Sequence, residues 1–399
     1  MPTASQSSPR IARIITRLNI GGPAIQAARL TTLLEARGYH TCLVHGRLGR
    51  DEGDMSDLVA THADVVHLPT LQRPIALLDD LRTLVRLFRV LRSFRPSIVH
   101  THMAKAGLLG RLAATAYNAT RGSSPRARLV HTYHGHVLEG YFRPFVSRTF
   151  MTFERLMSRV TDRIVAVSPA VRRELVDTFR IGSAAQYRVI PLGFDLTPFA
   201  AIDARARADA RRALDLASNA AVVATVGRLT AIKQPHLFLE VIARIAPTNP
   251  HVVGVIAGDG ELRDELHARA AALGIADRVR WLGWRRDLPT IYAATDVFLL
   301  TSRNEGTPVA LIEAMAAGVP GVSSDVGGVR DVIDSADAGA VIPFGDVAAL
   351  AAAVDRLLQD ADLRRRTGLH ARARVLEKYS IDRLVRDIDA MYRELLSER

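Results

Sequence analysis

The chain has 399 residues, of which 48% are hydrophobic, 24% charged and 6% aromatic. This composition excludes a collagen-like, a largely disordered and a disulfide-stapled protein, because it is typical of globular domains and includes a single cysteine. No segment approaches the ~20 apolar residues that span a bilayer. The polar residues 1–9 predict a flexible lead-in rather than a secretory signal, so the cytoplasm is the expected location.

The net charge of +12 is unevenly distributed along the chain. Residues 1–200 contain 27 Lys and Arg against 14 Asp and Glu, whereas residues 201–399 contain 26 against 27. A coding bias toward arginine would have given both halves of the chain a surplus of positive charge. The surplus in the first half therefore indicates an anionic partner, such as a membrane surface, a nucleic acid or a phosphorylated substrate.

Short apolar runs alternate with amphipathic stretches through both halves. Strands are predicted at 11–15, 42–44, 65–68, 98–100, 129–132, 164–167, 189–191, 221–226, 252–257, 279–282, 297–300, 321–323 and 340–342. Helices are predicted at 23–37, 105–117, 235–245, 261–273, 308–317, 348–358, 362–378 and 381–397. Buried runs separated by helices indicate parallel sheets covered on both faces.

The expected architecture is α/β, with two doubly wound Rossmann-like domains facing across a cleft. We place the domains at residues 10–195 and 196–380, with a linker near 193–198. The last helix, 381–399, is expected to pack back toward the N-terminal domain. Ligands of such sheets bind beyond the carboxyl ends of the strands, so loops that follow strands are where candidate site residues belong.

Two of these loops suit an anion. Gly21 and Gly22 follow the first strand and precede a helix with Pro23 in its first turn, where free N–H groups favour a phosphate. Arg228 and Lys233 follow the first strand of the second half, and two cations there suit a diphosphate. Taken singly, the first loop could be an ordinary turn and the second a solvated pair.

Two glutamates are the most specific signal. Glu305 lies in a loop after a strand, and Glu313 lies about one and a half turns into the next helix. Both carboxylates can accept hydrogen bonds from vicinal hydroxyls. Glu313 is surrounded in sequence by apolar residues, and a lone carboxylate there usually has a specific partner. Gly306 and Thr307 bring backbone N–H groups to the start of that helix.

Histidines cluster at the end of a predicted strand, at positions 131, 134 and 136. Their spacing matches no standard structural zinc site, so we expect no metal. A sugar-facing His134 fits a rim position better. His100 and His102, which precede Lys105 in what is predicted to be a similar loop, are weaker candidates.

In this order these motifs resemble the retaining GT-B glycosyltransferases of family four over nearly the whole chain. Contributing segments are the glycine loop, the His134 loop, VIPLGFD (189–195), VGRL with Lys233, GDGEL (258–262), the two-glutamate segment through Pro320, and the pair Gly327 and Gly328. The resemblance implies a hexosyltransferase that takes a nucleotide-sugar, more readily a UDP-sugar than a GDP-sugar, and needs no metal or other cofactor.

The resemblance also implies roles for individual residues. Arg228 and Lys233 would neutralise the diphosphate, Glu313 would accept the ribose hydroxyls, and Glu305 would hold the transferred sugar. The backbone of Gly306 and Thr307 would contact sugar or phosphate, with Gly21 and Gly22 approaching the diphosphate across the cleft. His134 would contact the donor sugar. The implied mechanism is front-face attack, in which the leaving phosphate helps to remove the acceptor proton. Catalysis then depends on charge stabilisation and positioning, and the residues implied to provide them are His134, Glu305, Arg228 and Lys233.

Two positions depart from the family pattern. The acid that usually follows the second glycine pair is displaced, so that Val329 and Arg330 lead to Asp331, whose role stays open. The usual hinge asparagine is Leu192.

The acceptor is expected to be a lipid-linked or polysaccharide glycan of the cell surface. A predicted helix combines an apolar stripe (77, 81, 84, 88 and 91) with an arginine stripe (82, 86, 89, 92 and 95), and residues 140–155 mix aromatic residues with arginine. Both could lie on the inner face of an anionic membrane, although the apolar stripe could also pack on the sheet.

Four alternatives differ in function class. A sugar-nucleotide epimerase would share the fold and donor site, and a small-molecule glycosyltransferase would differ in its acceptor. A nicotinamide-dependent oxidoreductase is disfavoured because G-x-G-x-x-G is missing. A nucleic-acid-binding protein is disfavoured because no recognised nucleic-acid motif occurs.

Overall fold

The computed structural model describes residues 8–19, 21–49, 52, 53, 55, 64–134 and 144–398, with backbone alone for 144–150. Internal contacts divide the chain into two compact units. One runs to Phe194 and includes Ile381–Arg399, and the other is Asp195–Ser380. The division falls one residue before the predicted boundary, and the last helix belongs with the N-terminal unit.

The N-terminal unit is built on a seven-stranded parallel sheet in the order β3-β2-β1-β4-β5-β6-β7. Its strands are β1 Arg10–Ile15, β2 His40–His45, β3 Asp64–His67, β4 Ile98–His102, β5 Arg128–Tyr133, β6 Arg163–Ala166 and β7 Tyr187–Val189. The central strands are buried along nearly their whole length, as expected of a parallel sheet covered on both faces.

The helices of this unit are α1 Gly22–Leu33, α2 Leu77–Phe94, α3 Ala104–Ala119, α4 Pro144–Ser158, α5 Pro169–Arg173 and the C-terminal α15 Ile381–Ser397. A π-helical turn, Glu174–Thr178, continues α5. On one face of the sheet, Leu384, Ile388 and Tyr392 of α15 pack with Ile11 and Ile98 in one buried cluster. The end of the chain therefore completes the core of the N-terminal unit.

The C-terminal unit has a six-stranded parallel sheet in the order β10-β9-β8-β11-β12-β13. Its strands are β8 Ala221–Val226, β9 Val252–Ala257, β10 Val279–Gly283, β11 Val297–Leu300, β12 Gly321–Ser324 and β13 Gly339–Ile342. The helices are α6 Thr197–Ala200, α7 Ala204–Ala213, α8 Pro235–Ile245, α9 Arg263–Ala272, α10 Leu288–Ala294, α11 Val309–Ala316, α12 Val329–Val332, α13 Val347–Gln359 and α14 Ala361–Tyr379. Its two adjacent central strands, β8 and β11, end beside the loops that carry Arg228 and Glu305.

The structure confirms every predicted strand to within a few residues and corrects one detail. β4 continues to His102, so His100 and His102 lie in a strand and not in a loop, because β1 and β5 pair with the strand over that extra length. In α2, Leu91 is buried and Leu84 and Phe88 pack against the core. Leu77 and Leu81 are 82% and 60% exposed, so the predicted stripe enters the core only in its second half.

Among the described residues, no helix is both long and apolar enough to cross a membrane.

Candidate functional site

A lysine, a glutamate and a serine meet beyond the carboxyl ends of β8 and β11. Lys233 Nζ lies 2.6 Å from Glu305 Oε1, and Ser302 Oγ donates to the same oxygen at 2.5 Å. The Glu305 side chain is 8% exposed and that of Lys233 is 31% exposed. An ammonium group has three N–H donors, so Lys233 can hold this carboxylate and still bind a second oxygen atom.

Hydrogen bonds to backbone carbonyl groups connect the two loops that carry these side chains. Thr301 Oγ1 donates to the carbonyl oxygens of Lys233 and Gln234 at 3.2 and 3.0 Å, and the Arg303 N–H donates to the Ile232 carbonyl at 2.8 Å. Since Thr301 directly follows β11, the sheet fixes the position of the lysine loop. The Lys233–Glu305 contact thus rests on rigid elements.

The glycine pair after β12 supports the same loop. The Gly328 N–H donates to the Glu305 carbonyl at 3.0 Å. Gly327 has a φ of 47°, and a Cβ atom there would lie 1.8 Å from the Glu305 carbonyl oxygen. Only glycine permits this close approach. The chemical reason for a glycine at position 327 is therefore that the backbone there packs directly against the backbone of Glu305.

Glu313 has the specific partner that its apolar surroundings predict. The buried Tyr292 hydroxyl donates to Glu313 Oε2 at 3.0 Å. Burial raises the pKa of Glu313 to about 7, although the Tyr292 hydrogen bond acts in the opposite direction. The Glu313 residue is only partly buried, so a ligand hydroxyl could reach it without a rearrangement of the core.

The remaining predicted residues of the C-terminal unit are open to solvent to different degrees. Arg228 and Gly306 are exposed and Thr307 is half-exposed. Within the part of the chain that the structure describes, no carboxylate pairs with Arg228. α11 begins at Val309, just after Thr307 and Pro308. Its first N–H groups therefore follow directly on the Glu305 loop.

The predicted residues of the N-terminal unit lie at the ends of β1 and β5. Gly21 and Gly22 begin α1, with Gly22 against Leu192. His134 follows β5 directly, and its Nε2 lies 2.9 Å from His102 Nδ1. His131 is buried and bonds Thr101 Oγ1 at 2.8 Å, so its role is structural. His136 lies outside the described residues.

Sequence reasoning missed two partners of the site, Ser302 and Tyr292. Ser302 stands three residues before Glu305 and Tyr292 lies in α10, and only the folded structure brings each to its carboxylate. His102, which the sequence indicates as a weaker candidate than His134, is hydrogen-bonded to His134. The Asp331 carbonyl oxygen accepts hydrogen bonds from Lys378 and Tyr379. No described group of three or more His, Cys, Asp or Glu side chains could hold a metal ion.

Two family models match the chain in sequence order. The model described as Glycosyltransferase Family 4 matches residues 20–198, and that described as Glycosyl transferases group 1 matches residues 206–374. An Escherichia coli protein named UDP-Gal:alpha-D-GlcNAc-diphosphoundecaprenol alpha-1,3-galactosyltransferase is 30% identical, covering 87% of this chain and 88% of that protein. The chain belongs to glycosyltransferase family 4.

Other comparisons agree with that membership. The capsular polysaccharide biosynthesis glycosyltransferase CapM of Staphylococcus aureus is 24% identical, with 86% of this chain and 89% of CapM covered. The crystal structure of Anabaena HepE in complex with UDP superposes with a TM-score of 0.79 at 21% identity, covering 96% of this chain and all of HepE. The family 4 glycosyltransferase described here therefore has the GT-B fold with two Rossmann-like domains, as its sequence predicts.

Proposed function

We propose that this glycosyltransferase moves a sugar from a UDP-sugar to a lipid-linked or polysaccharide glycan of the cell surface, with retention of anomeric configuration and without a metal. The observation that carries the proposal is the joined Lys233–Glu305–Ser302 group. The same unit also carries the exposed Arg228, in the loop after β8, and the partly buried Glu313, in α11. A relative that covers most of the chain is named for a UDP-galactose donor and a diphosphoundecaprenol acceptor.

Each side chain has a role that its chemistry suits. Lys233 and Arg228 bind the diphosphate and stabilise the charge that develops on it as the glycosidic bond breaks. Glu313 accepts hydrogen bonds from the ribose hydroxyls, and Glu305 accepts them from the transferred sugar while it orients Lys233. The leaving phosphate helps to remove the acceptor proton, so the protein contributes chiefly positioning and charge stabilisation.

The backbone contributes at two points of this proposal, and the His134 side chain at a third. The N–H groups of Gly306 and Thr307 contact sugar or phosphate oxygens, and Gly21 and Gly22 allow close approach to the diphosphate. His134 contacts the transferred sugar.

A nucleotide panel tests the donor class. The full chain is melted in EDTA with saturating UDP, GDP, ADP or NAD. A ligand at 100 times its Kd stabilises a protein by ~2.7 kcal/mol, which gives a measurable rise in Tm. We expect UDP to raise the Tm without metal. A shift with NAD alone, or with no nucleoside diphosphate, would contradict the donor assignment.

The reaction itself is then followed by NMR of the anomeric proton of the product. A new glycoside with the donor's configuration supports retention, whereas an inverted linkage refutes it. An isomerised UDP-sugar formed without acceptor would instead indicate the epimerase alternative.

A surface patch supports a membrane-bound acceptor. Ile75, Leu77, Leu78, Leu81 and Val85, here called the α2 patch, are large apolar residues that are all more than 40% exposed. Arg82, Arg86 and Arg89 are exposed on the same helix. Exposed apolar clusters of this kind mark interaction surfaces, and arginine beside them favours anionic lipid by ~1 kcal/mol per residue. We propose that the α2 patch docks peripherally on the inner face of the membrane.

Cosedimentation with vesicles tests this docking. We expect the wild-type protein to bind vesicles with anionic lipid at low salt, and the double variant Leu77→Ser/Leu81→Ser to bind several-fold more weakly. Leu369→Ser is the matched control, because Leu369 is 55% exposed but lies in the C-terminal unit. Wild-type protein that stays in solution, or an equal loss in the control, would overturn the proposal.

A further inference from the structure

A buried arginine stands beside two histidines at the centre of the N-terminal sheet. Arg13 lies in β1 and is 1% exposed, and His100 and His102 lie in the adjacent strand β4 with no exposed surface. Within the described ranges, Arg13 has no carboxylate partner. Its hydrogen bonds run instead to His100, His102 and Tyr392. Burying a cation without a countercharge costs free energy, and we therefore examine what the hydrogen bonds of Arg13 achieve.

The bonds of Arg13 determine which nitrogen of His102 carries the proton. Guanidinium groups only donate hydrogen bonds. Arg13 Nη1 lies 3.3 Å from His102 Nε2, so Nε2 is the acceptor and the neutral ring holds its proton on Nδ1. That Nδ1–H points at His134 Nε2, 2.9 Å away. His134 Nε2 is therefore also an acceptor, and the proton of His134 lies on Nδ1.

The other branch of the network agrees with this assignment. Arg13 Nη1 also lies 3.3 Å from His100 Nδ1, which accepts from the Tyr392 hydroxyl at 2.6 Å. His100 Nε2 then carries the proton and donates to Thr132 Oγ1 at 2.7 Å. Tyr392 accepts in turn from Arg13 Nη2 at 3.4 Å. Each of these bonds has one donor and one acceptor, so the network is consistent with a single set of tautomers.

The surroundings of the three histidines favour the neutral rings that the assignment requires. Burial, with the Arg13 charge among the neighbouring groups, lowers the pKa of His100 and His102 well below 6.5. Burial alone lowers the pKa of His134 to about 3.

The outer end of the network is open. His134 Nδ1 is a buried atom, and no hydrogen-bond partner for it occurs among the described residues. An unmade hydrogen bond at a buried N–H costs about 1–3 kcal/mol. Such a donor is suited to an oxygen atom of a bound substrate, and the lone pair of His134 is already occupied by His102.

We propose that Arg13 and His102 are positioning residues that fix His134 as its Nδ1–H tautomer, so that His134 donates a hydrogen bond to a substrate oxygen and does not act as a base. The inference rests on the proposed function for the identity of that substrate as a nucleotide-sugar. The tautomer itself is a property of the free protein. Tyr392 extends the network to α15, because it bonds both Arg13 and His100.

The tautomer is measured directly by long-range ¹H–¹⁵N correlation on the full chain labelled with ¹⁵N-histidine. His134→Asn, in which one set of signals disappears, assigns the resonances. We expect His134 in its Nδ1–H form from pH 6 to pH 8. An Nε2–H form or an imidazolium in this range would overturn the proposal. This result does not depend on turnover, so failure of the proposed function and failure of the inference are separable.

Two substitutions at His102 test its effect on transfer. His102→Leu removes the donor to His134 and is expected to lower kcat by about 10–100-fold, by analogy with loss of the partner that orients a metal-bound histidine, with KM for the donor changed less. His102→Asn can still place an N–H near His134 Nε2 and is expected to recover most of that loss. Equal losses in two variants with equal Tm would show a merely structural role and refute the inference.

Discussion

Replacing Glu313 with glutamine should stabilise the unliganded protein while it weakens donor binding. The folded structure holds this carboxyl at a pKa of about 7, against 4.5 as its ordinary value, because burial disfavours the charged form. As pH rises from 4.5, the unfolded chain ionises first and the folded state loses stability until about pH 7. Glutamine has nearly the same shape and can still accept the Tyr292 hydrogen bond, but it never ionises.

The size of the gain follows from this shift. The rise in pKa from 4.5 to about 7 corresponds to an upper limit of about 3 kcal/mol at pH 8. At pH 5 the same shift gives less than about 1 kcal/mol. Because the Glu313 residue as a whole is only partly buried, we expect a gain of about 1–3 kcal/mol at pH 8, or roughly 3–9 °C in Tm for a domain of this size.

The assay is a thermal melt of wild type and Glu313→Gln at pH 5 and pH 8 without nucleotide. Glu265→Gln is the matched control, since Glu265 is an exposed helical glutamate. A gain that is equal at both pH values, or no gain at pH 8, would refute the reasoning. Titration with UDP completes the test. The affinity of the wild-type protein for UDP should rise with pH through about 7, as Glu313 ionises. The variant should bind UDP more weakly, with an affinity that does not change over this pH range.

Four further substitutions probe separate parts of the structure. Lys233→Ala and Arg228→Ala should each lower transfer about 100-fold or more, as loss of one charge-stabilising donor does, and near-normal turnover in either would contradict the diphosphate role. Gly327→Ala should lower stability by about 1–3 kcal/mol in thermal unfolding, because its Cβ would meet the Glu305 carbonyl at a positive φ; an unchanged Tm would show that the loop can move. Glu154→Gln should destabilise the N-terminal domain by about 3–5 kcal/mol in urea, because the buried Arg111 loses a two-point ion pair, and a loss below 1 kcal/mol would indicate that water reaches Arg111.

The strands could be predicted from the sequence because both sheets are parallel and covered on both faces. Residues 297–300 are continuously apolar and residues 221–226 are apolar apart from Thr225, and β11 and β8 have those bounds. α2 shows where this reasoning stops. Leu77 and Leu91 share one helical stripe, but only Leu91 lies over the sheet. Periodicity identifies one face of a helix and does not show how far the neighbouring element extends.

The candidate site likewise contains parts that could be predicted from the sequence and parts that could not. The loops of Lys233 and Glu305 could be placed from the sequence, since each follows a strand, but their direct contact depends on two strands being neighbours in the sheet. The Arg13 network could not be predicted at all. It joins β1, β4, the end of β5 and α15, and no local pattern signals that a charged residue within an apolar strand is buried without a carboxylate.

The contact between Lys233 and Glu305 separates binding of the nucleotide from binding of the sugar. Without ligand, the ammonium group of Lys233 is paired with the buried Glu305 carboxylate at 2.6 Å, and the negative charge of that carboxylate opposes the binding of a diphosphate. Glu305→Gln should therefore bind free UDP more tightly, by about 5–10-fold for a gain near 1 kcal/mol, while it loses transfer because the sugar hydroxyls lose their acceptor. Calorimetry with UDP and with the UDP-sugar measures both effects. Glu240→Gln, which breaks the Arg269 pair elsewhere in the domain, is the control. Equal weakening toward UDP and UDP-sugar would show that Glu305 only shapes the loop, and Lys233 alone would then account for the electrostatics of this site.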